Sequence, residues 1–204
     1  MSTSALAYAS RVCRWVFNDA PLPDTLTQSE RNELDWLRIA SFALIHVGTL
    51  AIFATGVSTT AIIVGAALYV LRMFAITAFY HRYFSHRAYR TSRIVQFLMA
   101  ILGCTAGQRG PLWWASHHRE HHAHSDEPDD PHSPRQRGMF HSHTLWFLTR
   151  GTFGAASERI RDWLRYPELR WLERLEWVPF IGLGALCWLL GSFFEAYAPG
   201  LATS

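Results

Sequence analysis

The sequence predicts an all-α polytopic membrane protein, with three transmembrane helices and a helical cap that carries histidine clusters. Three observations support this class. Half of the 204 residues are apolar, no Asp, Glu, Lys or Arg occurs from Ile39 to Leu71, and ten of the eleven histidines lie between His81 and His143. A long uncharged run is typical of membrane helices, and dense histidines are typical of a metal site.

Residues 1–35 are predicted to be an N-terminal segment outside the membrane. Thr27-Gln28-Ser29-Glu30 has the spacing of a capping box, so a short helix is expected to begin there. Residues 1–20 contain no apolar run of signal-peptide length, and no removed leader is expected.

Residues 36–80 are predicted to form a transmembrane hairpin. As one α-helix, the 33 residues from Ile39 to Leu71 would be about 50 Å long, whereas the hydrocarbon core is about 30 Å thick. Two spans are therefore expected, from Trp36 to Thr55 and from Ser58 to Tyr80, with the break at residues 56–60.

The later part of the chain has two more apolar runs. Ile94 to Gly107 has fourteen uncharged residues, too few to cross a bilayer, and is predicted to be an interfacial or buried helix. Trp177 to Phe194 has eighteen and is predicted to be the third span, within residues 177–198. The charged stretch from Glu158 to Glu176 is predicted to be an amphipathic helix on the surface or against the cap, and residues 199–204 are predicted to be a tail.

The distribution of arginine predicts the orientation. Arginines flank the N-terminal segment and the stretch from Arg82 to Arg174, whereas the turn at residues 56–60 has none. The positive-inside rule then places the N-terminal segment, residues 1–35, and the histidine region, residues 81–176, on the cytosolic side of the cytoplasmic membrane. The net charge of +3 comes from arginines beside apolar runs and among acids, which argues against nucleic-acid binding. The three cysteines are far apart and indicate neither a disulfide framework nor a cysteine-based zinc site.

Two histidine clusters are the candidate metal ligands. His81 and His86 are five residues apart and would diverge by about 140° on a continuous helix, so the backbone is expected to leave the helix there if both are to reach one centre. His118, His121 and His122 have i, i+3, i+4 spacing, which aligns three imidazoles on one helical face. Imidazole ligands without cysteine suit zinc, copper, iron or nickel, and spacing alone does not select among them.

The sequence around these clusters resembles that of the membrane fatty-acid desaturases, specifically the acyl-CoA (delta-9 type) branch. The resemblance runs from about Ala61 to Trp188. Its matching segments are His81-Arg82-Tyr83-Phe84-Ser85-His86, Gly110-Pro111-Leu112-Trp113-Trp114-Ala115, His118-Arg119-Glu120-His121-His122, Asp130-Pro131-His132-Ser133, Gly138-Met139-Phe140-His141-Ser142-His143 and the bacterial-like Tyr166-Pro167-Glu168-Leu169-Arg170-Trp171-Leu172. The resemblance implies four spans under a cytosolic cap and a di-iron enzyme, with two iron ions, that uses O2 and two electrons to introduce a cis double bond into a fatty acyl chain.

Carried over residue by residue, the resemblance implies metal ligation by His81, His86, His118, His121 and His122. It also implies a fatty acyl thioester or lipid as substrate and a ferredoxin- or cytochrome-type electron donor. The family's lone histidine, its third His-x-x-His-His box and its fourth span have no counterpart in these 204 residues, so the chain is expected to be a truncated and inactive form or one completed by another polypeptide.

Two alternatives to a desaturase remain open. A related histidine-box lipid hydroxylase or ketolase would share the fold and differ in its product. A non-catalytic membrane metal-binding protein, completed by a separate chain, would share the clusters without the reaction. Trp113 and Trp114 are expected to be largely interfacial anchors. The remaining cap histidines are expected to lie around the ligands or at the surface: His117, His124, His132, His141 and His143.

Overall fold

The structure, a computed structural model, describes residues 12–18, 26–128, 130 and 132–201. Within these ranges it consists of helices and irregular segments with no β-strand, which confirms the all-α prediction. Residues 12–17 are helical, and the helices that follow are α1 (Gln28–Asn32), α2 (Trp36–Thr55), α3 (Thr59–Ser85), α4 (Arg93–Cys104), α5 (Pro111–Ala123), α6 (Pro134–Arg137), α7 (Arg161–Leu164), α8 (Pro167–Arg174) and α9 (Trp177–Tyr197). Short π-helical or 3-10 turns cover His141–Leu145, Trp146–Leu148, Arg150–Thr152, Ser157–Arg159 and Pro199–Leu201.

Helix α1 begins at the predicted capping box. The Thr27 hydroxyl accepts the N–H of Glu30 at 3.3 Å, and the Glu30 carboxylate accepts the N–H of Thr27 at 2.8 Å. This reciprocal pair satisfies backbone donors that the first helical turn leaves unpaired. Asp35 caps α2 in a similar way, because its carboxylate accepts the N–H groups of Leu37 and Arg38.

Helices α2, α3 and α9 are long and apolar enough to cross a membrane, as predicted. The mean hydropathy of their most apolar stretches is 1.8, 2.1 and 1.7, and at most 6% of the residues in those stretches are buried within the protein. A helix that is apolar all round must be covered by something apolar, so the surfaces of these three helices are suited to lipid.

The turn between α2 and α3 lies at the predicted break. Gly56 ends α2 with φ of 76°, a left-handed value that a side chain would strain. The Ser58 hydroxyl then accepts the N–H of Ala61 and caps α3. Helix α3 continues to Ser85, beyond the predicted end at Tyr80. Its 27 residues correspond to about 40 Å at α-helical rise, so one end projects beyond a hydrocarbon core of about 30 Å.

The cap packs around the projecting end of α3. Tyr80 and Phe84 are fully buried, and their neighbours in this core include Trp163 of α7 and Leu169 of α8. Helix α4 approaches closely at Gly103, where an added Cβ would overlap the ring of Tyr80. Only glycine permits this approach, which fixes α4 against the end of the span.

Helix α4 has twelve residues and is too short to cross a bilayer, in agreement with the prediction. One face is buried in the cap and includes Gln96 and Met99. The opposite face exposes Ile94 and Leu98, with 74% and 58% of each residue accessible. An apolar face at the end of a membrane span is suited to the membrane interface.

The charged stretch from Glu158 to Glu176 is not one helix, and this part of the prediction is wrong. It forms the 3-10 turn Ser157–Arg159 and the separate helices α7 and α8. Pro167 begins α8 and cannot continue a preceding helix, because proline lacks the N–H group and its ring clashes with the turn before it. The stretch still packs against the cap through its apolar residues, which are Ile160, Trp163, Leu169 and Leu172.

Candidate metal centre

The first histidine cluster lies on a π-helix. Ala75–Ser85 has π-helical hydrogen bonding, and the bond from the N–H of His86 to the carbonyl of His81, at 3.1 Å, spans five residues. This wider turn brings side chains five residues apart toward the same side. As a result, the Nε2 atoms of His81 and His86 are 3.2 Å apart. The prediction that the backbone leaves the helix here is wrong, because the chain stays helical to Ser85 by widening the helix, and only His86 lies beyond its end.

Buried carboxylates hold the N-terminus of α5, the helix that carries the second cluster. The two carboxylate oxygens of Glu173 accept the N–H groups of Leu112 and Trp113, each at 2.9 Å. Glu176 accepts the N–H of Gly110 at 2.6 Å. Acceptors at this end satisfy unpaired helix donors and complement the helix dipole. Burial, followed by the neighbouring Glu176, raises the pKa of Glu173.

Four imidazoles from α3, α5 and the residue that follows α3 converge on one point. The ligand atoms of His81, His86, His118 and His122 all lie within 4.8 Å of one another. The Nε2 atom of His118 is 3.1 Å from that of His86 and 3.0 Å from that of His122. Each Nε2 of a neutral imidazole carries either a proton or a lone pair. Two of these nitrogens can therefore form a hydrogen bond only if one carries a proton that it shares with the lone pair of the other. A cation that accepts one lone pair from each ring satisfies all four.

The surroundings of this centre disfavour the protonated form of two of its imidazoles. Burial, and then the neighbouring imidazoles, lower the pKa of His118 to about 3. The same causes hold the pKa of His86 below its ordinary value. Neutral imidazole is the form that ligates a metal ion. The environment of His118 and His86 therefore favours the form that can bind a cation.

Trp114 forms one wall of the centre. Its indole stacks on the ring of His118, with centroids 4.6 Å apart and planes inclined by 24°, and meets the ring of His81 edge-on at 6.2 Å. Trp113 is 4% exposed and donates its indole N–H to the carbonyl of Thr152 at 2.8 Å. Trp113 is therefore a core residue and not an interfacial anchor, whereas Trp114 is only partly buried and donates its indole N–H to the side chain of Gln108.

His121 is not part of the four-imidazole group. Its Nδ1 is 2.9 Å from a carboxylate oxygen of Asp130, which is 1% exposed, and its ring lies 5.1 Å from that of His132. Although burial opposes ionisation, N–H groups of His132 and Asp126 hold the pKa of Asp130 below its ordinary value. A carboxylate on Nδ1 leaves Nε2 as the ligand atom, the arrangement common among metal-binding histidines. The Nε2 of His121 has no hydrogen-bond partner among the described residues.

Arg119 joins the two clusters. Its guanidinium donates to the carbonyls of Phe84 and Ser85, at 2.6 and 2.9 Å, at the end of the π-helix. It also donates to both carboxylate oxygens of Asp162, at 2.9 and 3.1 Å, and to the carbonyl of Arg159 at 2.7 Å. The planar, multiply donating guanidinium is the side chain suited to such a junction. One residue of the second cluster thus fixes the backbone of the first.

The remaining cap histidines described here make their contacts outside the group of four. His117 lies within α5 and is partly buried; it donates its Nε2–H to the carbonyl of Gly154 at 3.1 Å, and burial lowers its pKa to about 4. His124 lies at the end of α5, where its Nδ1 is 2.8 Å from a carboxylate oxygen of Glu127. Neither approaches the four converging nitrogens, in agreement with the expectation that they lie around the ligands or at the surface.

Sequence patterns had not indicated the residues that support the centre. Glu173 and Glu176 fall in the stretch predicted to be an amphipathic helix on the surface or against the cap, and that prediction gives them no role at the centre. A usable signal exists, however, because Glu173 shares i, i+3, i+4 spacing with Leu169 and Leu172 on α8, and Glu176 lies two residues beyond the end of that helix. A carboxylate beside the buried residues of a helix requires partners inside the protein, and the open N-terminus of α5 supplies them.

Comparison with known proteins agrees with this geometry. The sequence model of the fatty acid desaturase family matches residues 58–204. The chain is 30% identical to the sn-1 stearoyl-lipid 9-desaturase of Anabaena variabilis, over 83% of this chain and 63% of that protein. It is 29% identical to Delta-9 acyl-lipid desaturase 2 of Arabidopsis thaliana, over 100% and 64% of the two chains. It is 30% identical to the Acyl-CoA Delta(11) desaturase of Spodoptera littoralis, over 82% of this chain and 51% of that protein.

The chain spans less than two thirds of the length of each of these relatives. The family match covers both histidine clusters, α3 and α9, and it includes every residue of the four-imidazole group. Three apolar helices and this match describe a membrane protein with a histidine group that can hold a metal ion. The chain belongs to the fatty acid desaturase family.

Proposed function

We propose that this chain provides the metal-binding part of a membrane acyl desaturase that uses O2 and two electrons to convert two adjacent methylenes of a fatty acyl chain into a cis double bond. The observation that carries the proposal is the convergence of four imidazoles at the end of a membrane span in a member of the desaturase family. Relatives named for lipid-linked and for CoA-linked acyl chains both match. The proposed substrate is accordingly a fatty acyl lipid or thioester.

The donor set is compatible with iron. His81, His86, His118 and His122 would hold one ion, and His121, oriented by Asp130, would contribute to a second. Iron supplies the oxidising power that an unactivated C–H bond requires and that side-chain acid–base chemistry lacks. Imidazoles also withstand an oxidant better than thiolates do. A di-iron centre is therefore the proposed cofactor.

The protein's own residues position and shield this centre. Arg119 fixes the end of the π-helix against α5, and Glu173 fixes the N-terminus of α5, so both clusters have defined backbones. Trp114 covers one side of the His118 ring and excludes water there. Since α3 projects beyond the hydrocarbon core, the centre lies just outside the layer that contains acyl chains. An acyl chain needs only a short displacement from the bilayer to reach it.

The proposed orientation puts the histidine region on the cytosolic side. Arginines are concentrated at that end of the spans, whereas the turn at residues 56–58 carries no charge. A ferredoxin- or cytochrome-type donor from the cytosol would then supply the two electrons. A cysteine introduced at Ser58 should react with an impermeant maleimide only when the reagent is added outside the cell. Labelling of this cysteine from the cytosolic side would show that the orientation is the opposite one.

The test is product analysis on the 204-residue chain. The chain would be expressed in bacterial membranes, supplied with a reduced ferredoxin, and assayed for new double bonds in total acyl chains by mass spectrometry with and without O2. Desaturation that requires O2 and is lost in His118→Ala but kept in His124→Ala supports the proposal. A hydroxylated product instead favours the hydroxylase alternative. Retained metal without any oxidised product shows that these 204 residues bind metal but do not catalyse alone, the result expected both of the non-catalytic alternative and of a chain completed by another polypeptide.

A further inference from the structure

A cavity of about 590 Å³ lies on the cap beside the first cluster, outside the four-imidazole group. It is formed by the end of α3, the loop after it, α4 and the chain from α7 to α8. Four arginines line it, and none of its lining residues is a carboxylate. The arginines are Arg87, Arg90, Arg93 and Arg165.

Only part of this positive charge is neutralised. Arg87 lies 3.4 Å from Asp162, and Arg93 pairs with Glu168 at 2.7 Å. Arg90 has no hydrogen-bond or ion-pair partner among the described residues, and Arg165 donates only to the Tyr166 hydroxyl. Two guanidinium groups therefore face the cavity without an acid, which matches the charge of a phosphate group.

A buried orphan donor in the same cavity points to an acceptor-rich ligand. Gln96 is 2% exposed, its Oε1 accepts the hydroxyl of Tyr83 at 3.0 Å, and its Nε2 has no hydrogen-bond partner. A buried N–H group without a partner is unfavourable, so such groups usually meet a ligand or water. Gln96 and the arginines are donors that a phosphate oxygen can satisfy together.

The position of the cavity indicates the source of the phosphate. It opens where α3 leaves the hydrocarbon core and next to α4, whose exposed face is apolar at Ile94 and Leu98. Its walls include Tyr89, Trp163 and Tyr166, the aromatic side chains that favour the headgroup region of a bilayer. Cationic and aromatic groups at this depth are suited to an anionic lipid headgroup.

We propose that this cavity binds the phosphate of an anionic phospholipid headgroup. Because Tyr83 belongs to both the cavity wall and the π-helix between His81 and His86, the bound lipid would secure the first cluster at the membrane surface. The site does not depend on metal binding or catalysis, so its test and the desaturation test can fail separately.

The experiment compares lipid retention by the purified full chain in a neutral detergent, using native mass spectrometry. Dioleoyl phosphatidylglycerol, dioleoyl phosphatidylcholine and the soluble nucleotide adenosine 3′,5′-bisphosphate are the probes. The double variant Arg90→Gln, Arg165→Gln should weaken phosphatidylglycerol binding about tenfold or more, since each arginine near a membrane surface contributes about 1 kcal/mol. Arg135→Gln removes an exposed arginine outside the cavity and should leave binding within about twofold.

The outcomes separate the possible ligands. Preference for phosphatidylglycerol over phosphatidylcholine that disappears in the double variant supports the lipid site. Gln96→Glu keeps the acceptor for Tyr83 but puts a carboxylate in the cavity, and it should also abolish the preference. Binding of the nucleotide alone assigns the cavity to soluble phosphates and overturns the lipid assignment. Equal retention of both lipids, or a preference unchanged by the double variant, overturns the site itself.

Discussion

Replacing Arg119 with methionine should loosen the junction between the two histidine clusters. The variant keeps an unbranched apolar stem and removes the guanidinium, and with it five hydrogen bonds to Phe84, Ser85, Arg159 and Asp162. Asp162 is 19% exposed and would retain only Arg87, 3.4 Å away. Removing one partner of a buried ion pair costs about 3–5 kcal/mol, and the partial exposure of this pair places the expected loss of stability near about 3 kcal/mol.

The metal affinity should fall with the stability. A group that orients metal ligands without touching the metal typically contributes about 10–100-fold in affinity, so Arg119→Met should lose metal at correspondingly lower chelator concentrations. The assay pairs thermal unfolding of the metal-free protein in detergent with a chelator titration of the iron-loaded protein. Arg119→Lys keeps the positive charge but loses the planar, multiply donating guanidinium. Its metal affinity and unfolding midpoint should lie between those of the unchanged protein and those of Arg119→Met. Arg135→Met, at an exposed arginine, is the control. If Arg119→Met has the same metal affinity and the same unfolding midpoint as Arg135→Met, Arg119 does not join the two clusters.

Three further outcomes test other parts of the structure. His118→Ala should lose bound iron measured by elemental analysis, because it removes the nitrogen closest to two other ligands, whereas His124→Ala should keep the iron. Gly103→Ala should lower the free energy of unfolding by about 1–3 kcal/mol, because the added Cβ overlaps the ring of Tyr80. Gly182→Ala, which has open space around it, should leave the free energy of unfolding unchanged. Thermal unfolding measures both. Burial raises the pKa of the Cys104 thiol, so maleimide should leave it unlabelled at pH 8 until the protein is unfolded, and rapid labelling of the native protein would contradict its burial.

The spans were predictable because a single physical quantity decides them. A bilayer requires about 20 apolar residues for each helix, and the chain has three runs that meet this length and one, at α4, that does not. The break at Gly56 followed from the same arithmetic, since 33 uncharged residues are too long for one crossing. The spacing of His118 and His122 likewise fixes one helical face without knowledge of the rest of the fold.

The supports of the metal centre were not predictable from local patterns, because they depend on contacts between distant segments. Glu173 meets the N-terminus of α5 about 60 residues earlier in the chain. Arg119 was visible as part of the second cluster, yet its contacts with the end of α3 arise only when the cap closes. The separation of His121 from the other four imidazoles depends on its contact with Asp130, which the spacing of the histidines does not indicate.

The wide turn at Ala75–Ser85 links chain length to helix type. In an α-helix, residues four apart share a face, whereas here the paired histidines are five apart. Deleting one residue between His81 and His86 would give the spacing that an ordinary α-helix presents on one side, and inserting one would suit neither helix. This pair therefore tolerates a change in length only if the backbone hydrogen bonding changes with it, which gives protein engineers a way to exchange a rare helix for a common one.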